Sequence, residues 1–343
     1  MLAIRERGGS VQRTKKYTLE QVAALLPWPD EQANKYSRGK VVLVAGCADY
    51  PGAACLAATA SQRMGAGYTE VACAAESVAQ VRAASPSLVV RPWDELTAYA
   101  QLDPDERGIG VLRADGARQP KAAARLAAAR PARTAPRPRV LGSQHPAHPL
   151  AFLVGSGMDA HDPLSAQLTC AVLADAAAPV LVDGGGLDAL TTPDGRLLLR
   201  RRFIDGLPTV ITPHAGEAAR LAAPLALPTD DPAHLAKLLS LAYGVTAVVK
   251  GPVTYISDGE TVFRMSDGTS ALAKAGTGDV LAGMVAALLA QKLAPVDACV
   301  LGTTLHARAA RLAAKRLTSI SVVAEDVVAA IPEAIASVAG ERG

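Results

Sequence analysis

Residues 275–284 read Ala-Gly-Thr-Gly-Asp-Val-Leu-Ala-Gly-Met. Gly276 and Gly278 can adopt backbone conformations that are closed to other residues, and the apolar run beginning at Val280 predicts a buried helix. The glycines therefore lie at a helix N-terminus, where free amides and the helix dipole favour a bound anion such as a phosphate. We predict an anion hole formed by Gly276, Thr277 and Gly278.

Asp279 is the unusual member of this stretch. A carboxylate in the first turn of a helix often only stabilises the helix dipole. Beside a bound phosphate, however, its negative charge is repelled unless the side chain acts on the substrate. We therefore predict that Asp279 is a general base next to a phosphate site. The alternative is an ordinary glycine turn followed by an aspartate that starts the helix.

The composition favours helices packed on a parallel sheet. Half of the 343 residues are hydrophobic, yet only three are Phe and two are Trp, so the core is built from Ala, Val and Leu. A chain of this length can bury a substantial core as one large α/β domain or as two smaller ones. The net charge of +3 is small, so charge alone predicts neither nucleic acid nor a membrane surface as the main partner.

The cysteines and the N-terminal region bear on the cellular compartment. The five cysteines are scattered without CxxC or CxxH spacing, which predicts reduced thiols and neither a disulfide framework nor a zinc site. The basic residues near the N-terminus are not followed by an apolar block, and no apolar run is long enough to span a bilayer. We expect a cytoplasmic protein without a membrane partner.

Alternation of strand and helix begins at residue 40. Residues 40–46 form an apolar run that is typical of a strand buried on both faces, and a helix over Ala53–Met64 and a strand over Tyr68–Cys73 follow. This strand-helix-strand unit predicts a parallel, doubly wound sheet. Gly39 and Lys40 do not form a P-loop, because they precede the strand and no GxxxxGK[ST] motif exists in the chain.

Two segments differ from this alternation. Residues 1–33 are predicted to be an N-terminal extension with a short helix, which Thr18 caps and Pro27 ends. Residues from about 103 to 149 are rich in Ala, Arg and Pro, with nine basic residues and one acid between Arg107 and Arg139. Such a composition offers little to bury, so we predict a mobile surface insertion. A nucleic-acid role for it is disfavoured, because aromatic residues are not interleaved with the basic ones.

The turn Gly-Ser-Gly at residues 155–157 follows an apolar strand at Leu150–Val154 and matches the GxGxxA pattern of dinucleotide-binding folds. In that motif the glycines open the helix directly, whereas Pro163 postpones the helix here, so the dinucleotide reading is weak. Asp183 closes the next strand and three glycines follow at 184–186. They lie where open α/β sheets bind ligands, at the carboxyl ends of the strands.

Two more polar groups follow strands at this edge. The strand Thr209–Ile211 is followed by Thr-Pro-His-Ala-Gly-Glu at residues 212–217. Most single histidines are structural, but His214 is held at a strand end between a proline and a glycine, so we predict that it contacts ligand. The strand at 247–249 ends in Lys250. Taken alone this is a solvated charge, but ahead of the predicted anion hole it is a candidate phosphate contact.

These stretches together resemble the ADP-dependent NAD(P)H-hydrate dehydratases of the ribokinase-like superfamily, from about Asn34 to Ile331 outside the insertion. Glycine turns like the one before Asp279 are shared by many kinases of that superfamily. The discriminating position is His214, because related vitamin-precursor kinases have Asn there. The resemblance is carried by residues 34–39 (Asn-Lys-Tyr-Ser-Arg-Gly), 50–54 (Tyr-Pro-Gly-Ala-Ala), 155–157, 212–217, 249–251 (Val-Lys-Gly) and 275–279.

The sequence departs from the family pattern at three places. The family more often has proline where Ser156 and Ala215 stand. It also has Asp-Ala-Asp-x-Leu-Asn where this chain has Asp-Gly-Gly-Gly-Leu-Asp at residues 183–188. These departures concern the substrate more than the phosphoryl chemistry.

The resemblance implies an α/β fold, a ribokinase-like doubly wound three-layer sandwich with a mostly parallel central sheet, over residues 34–335. It implies ADP-dependent dehydration of the S epimer of NADHX or NADPHX to NADH or NADPH, with release of AMP and phosphate. ADP and Mg²⁺ are the implied cofactors, and a homo-oligomer, a tetramer, the implied assembly. By the same resemblance, the hydrated dinucleotide contacts Ala53, Gly157, His214 and Asp279; the nucleotide contacts Lys250, Gly251, Pro252, Val253, Thr254 and Gly278; and Glu217 organises Mg²⁺ through water.

Two other functions stay open at this point. One is a small-molecule kinase of the same fold, acting on a vitamin precursor or a sugar-like substrate, whose product keeps its phosphate. The other is a non-catalytic nucleotide-binding module, which the presence of Asp279 argues against.

Overall fold

The computed structural model describes residues 14–102, 137–142 and 148–340. Their strands form one ten-stranded sheet. The strands are β1 Thr14–Lys15, β2 Lys40–Val44, β3 Tyr68–Cys73, β4 Val89–Pro92, β5 Leu150–Val154, β6 Val180–Val182, β7 Thr209–Ile211, β8 Thr246–Val249, β9 Thr254–Ser257 and β10 Val262–Met265.

The strand order is β1-β10-β9-β8-β7-β6-β5-β2-β3-β4. All pairings from β4 through β2 to β8 are parallel, so the carboxyl ends of these strands meet at one edge of the sheet. The strands β9 and β10 are added in antiparallel fashion, and β1 pairs parallel to β10. The mostly parallel sheet expected from the sequence is therefore confirmed.

Helices cover both faces of this sheet among the described residues. They are α1 Leu19–Ala24, α2 Pro51–Arg63, α3 Val78–Ala84, α4 Asp94–Ala100, α5 Arg139–Gly142, α6 Pro163–Asp175, α7 Pro193–Ile204, α8 Ala215–Ala222, α9 Pro232–Tyr243, α10 Thr277–Ala290, α11 Pro295–Ser321 and α12 Ala324–Ala339. The first face carries α1 to α3 and α10 to α12, and the second face carries α4 to α9. No helix of the described residues is both long and apolar enough to cross a membrane.

The alternation of side chains along each strand divides the core into two halves. In β2, Val41 and Leu43 pack against the helices of the first face, whereas Val42 and Val44 pack against those of the second. All four are fully buried. A strand that is apolar at every position therefore indicates a sheet covered on both sides, as the run at residues 40–46 does.

Helix α10 is the central helix of the first face. Nearly every residue from Val280 to Ala290 is buried, so the helix is apolar all round and is covered on every side. It packs mainly on α2. A Cβ atom at Gly283 would lie 2.1 Å from the carbonyl oxygen of Ala57, so only glycine allows the two helices to approach this closely.

Several helix boundaries differ from the sequence-based expectation. Helix α2 begins at Pro51 instead of Ala53, because proline has the φ angle of a first helical turn and needs no amide partner there. Near the C-terminus, α11 extends to Ser321 across a non-helical Thr318, and α12 begins at Ala324 and includes Pro332.

The predicted N-terminal helix is present and is part of the main core. Thr18 and Gln21 form a reciprocal capping box at the start of α1. Val22 and Ala23 of this helix are buried in the first-face core. The Tyr17 hydroxyl donates a 2.6 Å hydrogen bond to Asp297 on α11. Residues 14–26 are thus attached to the main fold by strand pairing, packing and hydrogen bonding.

The predicted insertion at about 103–149 falls mostly outside the described residues. Its described part at 137–142 contributes to the core of the second face, where Val140 is 6% exposed and Leu141 is fully buried. Arg137 donates a hydrogen bond to the backbone carbonyl of Asp175 at the end of α6. Residues 137–142 are therefore part of the folded core, and residues 103–136 and 143–147 lie outside the described residues.

Candidate active site

The carboxyl edge of the sheet brings the predicted polar groups together. The turn at 155–157 follows β5, Asp183 follows β6, His214 lies beyond β7, and Lys250 follows β8. The backbone amide of Lys250 donates to the Pro213 carbonyl at 2.8 Å, which extends the parallel pairing beyond the two strands. The sheet therefore positions these side chains beside one another.

The centre of this group is an ion pair between Lys250 and Asp183. The Lys250 Nζ atom lies 2.8 Å from Oδ1 of Asp183, which also accepts a 2.6 Å hydrogen bond from the Thr212 hydroxyl. Burial lowers the pKa of Lys250, but the nearby carboxylates of Asp183, Glu217 and Asp279 outweigh burial and raise it. Lys250 is consequently a fixed cation at the edge of the sheet.

The predicted anion hole begins α10. Gly276 is the N-cap residue, and its φ angle of 87° is a conformation that favours glycine. Among the described residues, no side chain caps this end of the helix by a hydrogen bond. A Cβ at Gly278 would lie 3.4 Å from the Lys250 Nζ atom, so the helix N-terminus and the fixed cation face the same space. The Thr277 amide donates a long hydrogen bond of 3.4 Å to the Lys274 carbonyl.

Asp279 lies in the first turn of α10, where Asp183, Ser156 and Lys250 act electrostatically on its carboxyl group. Burial raises the pKa of its carboxyl group to about 7, and the negative charge of Asp183 acts in the same direction. A hydrogen bond from Ser156 and the cation of Lys250 oppose this shift. A carboxylate whose pKa lies near neutrality is suited to accept a proton, because it is substantially ionised and still basic.

Ala53 and Gly157, which are both predicted to contact substrate, lie next to each other. Gly157 has a φ angle of 65°, and a Cβ there would lie 2.7 Å from the Cβ of Ala53 and 2.5 Å from the Tyr50 carbonyl oxygen. The amide of Cys47 donates to the Gly157 carbonyl at 2.8 Å. The loop before α2 and the turn after β5 therefore form one wall of the site.

His214 has a structural task that the sequence did not reveal. It is the N-cap residue of α8, and its Nδ1 atom accepts hydrogen bonds from the amides of Gly216 at 3.0 Å and Glu217 at 3.4 Å. Since Nδ1 is an acceptor, the proton of the neutral ring is on Nε2. The side chain is 58% exposed, so a face of the ring remains open to ligand while the cap is made.

Glu217, which the resemblance assigns to Mg²⁺ through water, completes the same cap. One carboxylate oxygen accepts a 2.7 Å hydrogen bond from the His214 amide, and the other lies 3.4 Å from the His214 Nε2 atom. Burial raises the pKa of Glu217, and the nearby Lys250 opposes that shift. No group of three metal-binding side chains occurs in the described parts of the chain.

The residues predicted to contact nucleotide form the turn after β8. Gly251 and Pro252 are exposed, and Thr254 starts β9 with its hydroxyl 3.4 Å from the Gly251 carbonyl oxygen. A Cβ at Gly268 would lie 2.7 Å from the Pro252 carbonyl oxygen. The turn from Gly251 to Thr254, including Val253, thus begins directly beside the Lys250 cation and runs away from it along the surface.

Three polar side chains of the site escaped the sequence-based list of site residues. Asp183 holds Lys250, Thr212 donates to Asp183, and Ser156 donates to it at 3.4 Å. The sequence did contain a signal for them, because each of them follows an apolar strand on the parallel sheet.

His306 on α11 is buried with no hydrogen-bond partner for Nε2 among the described residues, and burial lowers its pKa to about 4.

The motif at residues 34–39 lies at the opposite edge of the sheet. A Cβ at Gly39, where φ is 87°, would be 2.3 Å from the carbonyl oxygen of Ala290. The absence of a side chain at Gly39 therefore allows the C-terminal end of α10 to pack closely against it. A cavity of about 230 Å³ nearby is lined by Tyr36, Lys40, Tyr68, His148 and Leu150. Tyr36 and His148 stack there with ring centroids 4.6 Å apart. This motif supports the packing of α10 instead of adding a group to the carboxyl edge.

Comparison with known proteins identifies a family. The family model described as NAD(P)H-hydrate dehydratase matches residues 41–112 and 117–333. An ADP-dependent (S)-NAD(P)H-hydrate dehydratase of Xanthomonas campestris is 30% identical over 314 residues, covering 89% of this chain and 91% of that protein. A bifunctional NAD(P)H-hydrate repair enzyme of Mycobacterium leprae is 33% identical over 295 residues, covering 85% of this chain. The chain spans about half the length of this relative and of similar mycobacterial ones.

Solved structures with the same fold are more distant in sequence. An ADP/ATP-dependent NAD(P)H-hydrate dehydratase from Bacillus subtilis, co-crystallised with ATP and Mg²⁺, superposes with a TM-score of 0.73 at 23% identity, over 96% of this chain and all of that one. A ribokinase-like superfamily protein of Enterococcus faecalis gives a TM-score of 0.69 at 20% identity, over 97% of this chain. These likenesses concern the fold, and they confirm the expected three-layer sandwich.

Proposed function

The chain belongs to the NAD(P)H-hydrate dehydratase family, and from this membership we propose that it dehydrates the S epimer of NADHX or NADPHX to NADH or NADPH, at the expense of ADP. The observation that carries the proposal is the position of Asp279. Its carboxyl group, with a pKa of about 7, lies at a glycine-started helix N-terminus that faces the Lys250 cation. A base, an anion hole and a cation are what phosphoryl transfer to a hydroxyl group requires.

The reaction has two steps. In the first, the hydroxyl oxygen of the hydrated nicotinamide ring attacks the terminal phosphorus of ADP, the bond to the bridging oxygen breaks, and AMP leaves. Asp279 accepts the hydroxyl proton in this step. In the second, the carbon–oxygen bond of the ring phosphate breaks, a proton leaves the neighbouring carbon, and the ring double bond is restored. The hydroxyl oxygen leaves with inorganic phosphate, so the elements of water are removed.

Lys250 and the start of α10 supply the charge stabilisation of the first step. The Lys250 cation is held by Asp183 at 2.8 Å and does not have to move when a phosphate arrives. Gly278 carries no side chain between that cation and its own amide, so a phosphoryl oxygen can reach both. Groups that are fixed before the reaction stabilise developing charge without reorganisation.

Substrate and nucleotide are proposed to approach from different sides. The hydrated dinucleotide lies on the wall formed by Ala53 and Gly157 and reaches the exposed face of the His214 ring, with its hydroxyl at Asp279. The nucleotide lies along the turn from Lys250 to Thr254, with its terminal phosphate at Gly278. The adjacency of Ala53 to Gly157, and of Lys250 to Gly278, supports this division.

Mg²⁺ is expected to enter with the nucleotide. It usually binds through substrate phosphates and retained waters plus one or two carboxylates, and it needs no cage of protein ligands. The oxygens of Glu217 are engaged by the α8 cap, so a contact from Glu217 is proposed only through water. When bound, the ion would neutralise phosphate charge, and the other roles described above belong to the side chains and backbone amides of the protein.

A coupled assay tests the proposal. Purified protein is incubated with NADHX and Mg²⁺ together with ADP or with ATP, while the absorbance of restored NADH, the AMP formed and the phosphate released are measured. We expect NADH, AMP and phosphate in equal amounts with ADP. If the nucleotide is consumed while a phosphorylated product accumulates without NADH, the chain is a kinase. If no nucleotide is consumed with any of a panel of hydroxylated substrates, it is a binding module.

A further inference from the structure

Tyr50 is an exposed aromatic residue at the carboxyl edge of the sheet, in the loop that leads from β2 to α2. It is 58% exposed. Among the described residues, its hydroxyl has no hydrogen-bond partner and its ring has no aromatic or cationic contact. An aromatic ring offers a large apolar face, and most of the surface of this one is left free by the fold.

The backbone that carries Tyr50 is fixed against the turn after β5. The amide of Gly46 donates to the Ser156 carbonyl at 3.0 Å. The amide of Cys47 donates to the Gly157 carbonyl at 2.8 Å, and the Cys47 carbonyl accepts a 3.2 Å hydrogen bond from the Tyr50 amide. The exposed ring therefore projects from a loop that is already ordered, so binding a ligand has to fix only the side chain.

The side chain of Tyr50 begins on the side of the loop that faces the predicted substrate wall. A Cβ at Gly157 would lie 3.4 Å from the Tyr50 Cβ atom and 2.7 Å from that of Ala53. Because Gly157 has no side chain, the space beside both Cβ atoms stays open. Tyr50 and Ala53 are three positions apart at the start of α2, which is about one helical turn. Tyr50 thus extends the wall that Ala53 and Gly157 form.

The length of α2 relates Tyr50 to the proposed base. A Cβ at Gly276 would lie 2.5 Å from the Cδ1 atom of Leu56, so α2 touches the start of α10, which carries Asp279 in its first turn. Residues 50 and 56 are separated by ~9 Å, since a helix rises 1.5 Å per residue. A ring that lies on this wall with its hydroxyl at Asp279 would therefore extend toward Tyr50.

We propose that Tyr50 is a substrate-binding residue, whose ring packs on the hydrated nicotinamide ring while the hydroxyl of that ring is held at Asp279. This inference rests on the proposed function. The hydrated ring keeps a conjugated, nearly planar part that joins its nitrogen to the carboxamide, and this part offers a face for stacking. The adenine is the other planar group of the dinucleotide, and the experiment separates the two.

The experiment compares Tyr50→Ala and Tyr50→Phe with the parent. We expect Tyr50→Ala to raise KM for NADHX roughly tenfold to a hundredfold, the usual effect of removing one stacking ring, with kcat and the KM for ADP nearly unchanged. Its melting temperature should not change, because the ring is exposed. Tyr50→Phe keeps the ring and should behave as the parent does. An unchanged KM in Tyr50→Ala, or an equal loss in Tyr50→Phe, overturns the proposal.

The matched control is Phe203→Ala. Phe203 is 66% exposed at the end of α7, before β7 enters the sheet, and so lies at the opposite edge. Its removal should leave KM for NADHX unchanged. If Phe203→Ala raises this KM as much as Tyr50→Ala does, the effect does not come from a contact in the site, and the proposal is overturned.

A smaller substrate decides which end of the dinucleotide Tyr50 contacts. The hydrated form of reduced nicotinamide mononucleotide has no adenine. We expect Tyr50→Ala to raise KM for this compound by the same factor as for NADHX. If the variant affects the dinucleotide alone, the ring packs on adenine and the proposal is overturned.

Binding measured without turnover separates this inference from the proposed function. The parent and Tyr50→Ala are titrated by calorimetry with reduced nicotinamide mononucleotide, the dehydrated form of the smaller substrate. Weaker binding by Tyr50→Ala in a protein that turns over no NADHX supports the Tyr50 contact and refutes the proposed function. Turnover of NADHX by the parent, together with equal binding by the parent and Tyr50→Ala, refutes the Tyr50 contact alone.

Discussion

Single residues of the site carry charges that oppose folding and serve the reaction. Asp279 is held near Asp183 and away from bulk water, and both effects raise its pKa to about 7 from a usual value of 3.8. The folded state therefore binds a proton at this carboxyl over a range of pH where the unfolded chain has lost it. The stability of the fold consequently falls as the pH rises from about 4 to about 7 and is constant with respect to this group above that range.

Asp279→Asn should lose activity and gain stability together. Asparagine keeps the size of the side chain but cannot accept the hydroxyl proton, so kcat should fall by ~10²–10⁴ while ADP affinity stays within several-fold. The variant also lacks the unfavourable buried charge. We expect its melting temperature to exceed that of the parent above pH 7 and to match it near pH 4. Retention of more than about a tenth of the parental kcat contradicts the assignment of Asp279 as the base.

The pH dependence of the parent follows from the same carboxyl group. The base must be ionised to accept a proton, so kcat/KM should rise with pH and level off above about pH 7. This rise of kcat/KM with pH is measured over the acid range with NADHX below its KM, and we call it the acidic limb. The residual rate of Asp279→Asn should not show this acidic limb. If the limb persists in that variant, it belongs to another group.

His214→Asn separates the two tasks of His214. Asparagine is among the strongest N-cap residues, so it can replace the bonds that Nδ1 accepts from Gly216 and Glu217. The ring, with its exposed face, is lost. We expect an unchanged melting temperature and unchanged ADP affinity, with KM for NADHX raised by the equivalent of about 1–3 kcal/mol.

The matched control for His214 is alanine. His214→Ala removes the cap as well as the ring, so it should lose a further ~1 kcal/mol of folding free energy. Equal stability of the two variants would show that the cap contributes nothing. Unaltered kinetics in His214→Asn would leave His214 with a structural task alone.

At the scale of elements, the site depends on how closely α10 approaches α2. Gly283 faces the backbone of Ala57, where a Cβ would lie 2.1 Å from the carbonyl oxygen, and this contact fixes the height of α10 over the sheet. The same helix carries Asp279 and the anion hole at its N-terminus. A displacement of α10 therefore moves the base and the phosphate donors together.

Gly283→Ala should destabilise the fold although alanine is the better helix former. The clash with backbone atoms requires the helices to separate, which typically costs about 1–3 kcal/mol, and kcat should fall because α10 shifts. The control is Gly52→Ala on α2, where a Cβ meets nothing within 4 Å. That change should stabilise the fold by ~1 kcal/mol. Urea unfolding of both variants measures the difference, and equal effects would contradict this account of the helix contact.

Elements that are set by local chemistry could be predicted from the sequence. The start of α10 follows from Gly276 and the apolar run after it, and the cap of α1 follows from Thr18. The pairing of Lys250 with Asp183 could not be predicted in this way, because the two are 67 residues apart and meet only through strand order. The cap made by His214 was missed because a histidine rarely occupies an N-cap.

At the scale of the whole molecule, the boundary of the insertion can be tested. Its composition from about residue 103 offers little apolar surface, whereas Val140 and Leu141 are part of the second-face core. Replacing residues 103–136 by a short Gly/Ser linker should leave the melting temperature and turnover nearly unchanged. Leu141→Ala should instead cost ~2–5 kcal/mol of folding free energy, because it empties a buried site. A drop of many degrees on linker replacement would contradict the proposed boundary.

The contact between α10 and α2 also has a consequence for the order of folding. It joins residues 51–63 to residues 277–290, which are far apart along the chain. Closing so long a loop is entropically costly, and contacts of this kind slow folding. During synthesis, the surface of α2 that packs on α10 remains uncovered until α10 has left the ribosome. A nascent chain of this protein should therefore depend on a chaperone for most of its translation, and catalytic competence should be the last property to appear on refolding.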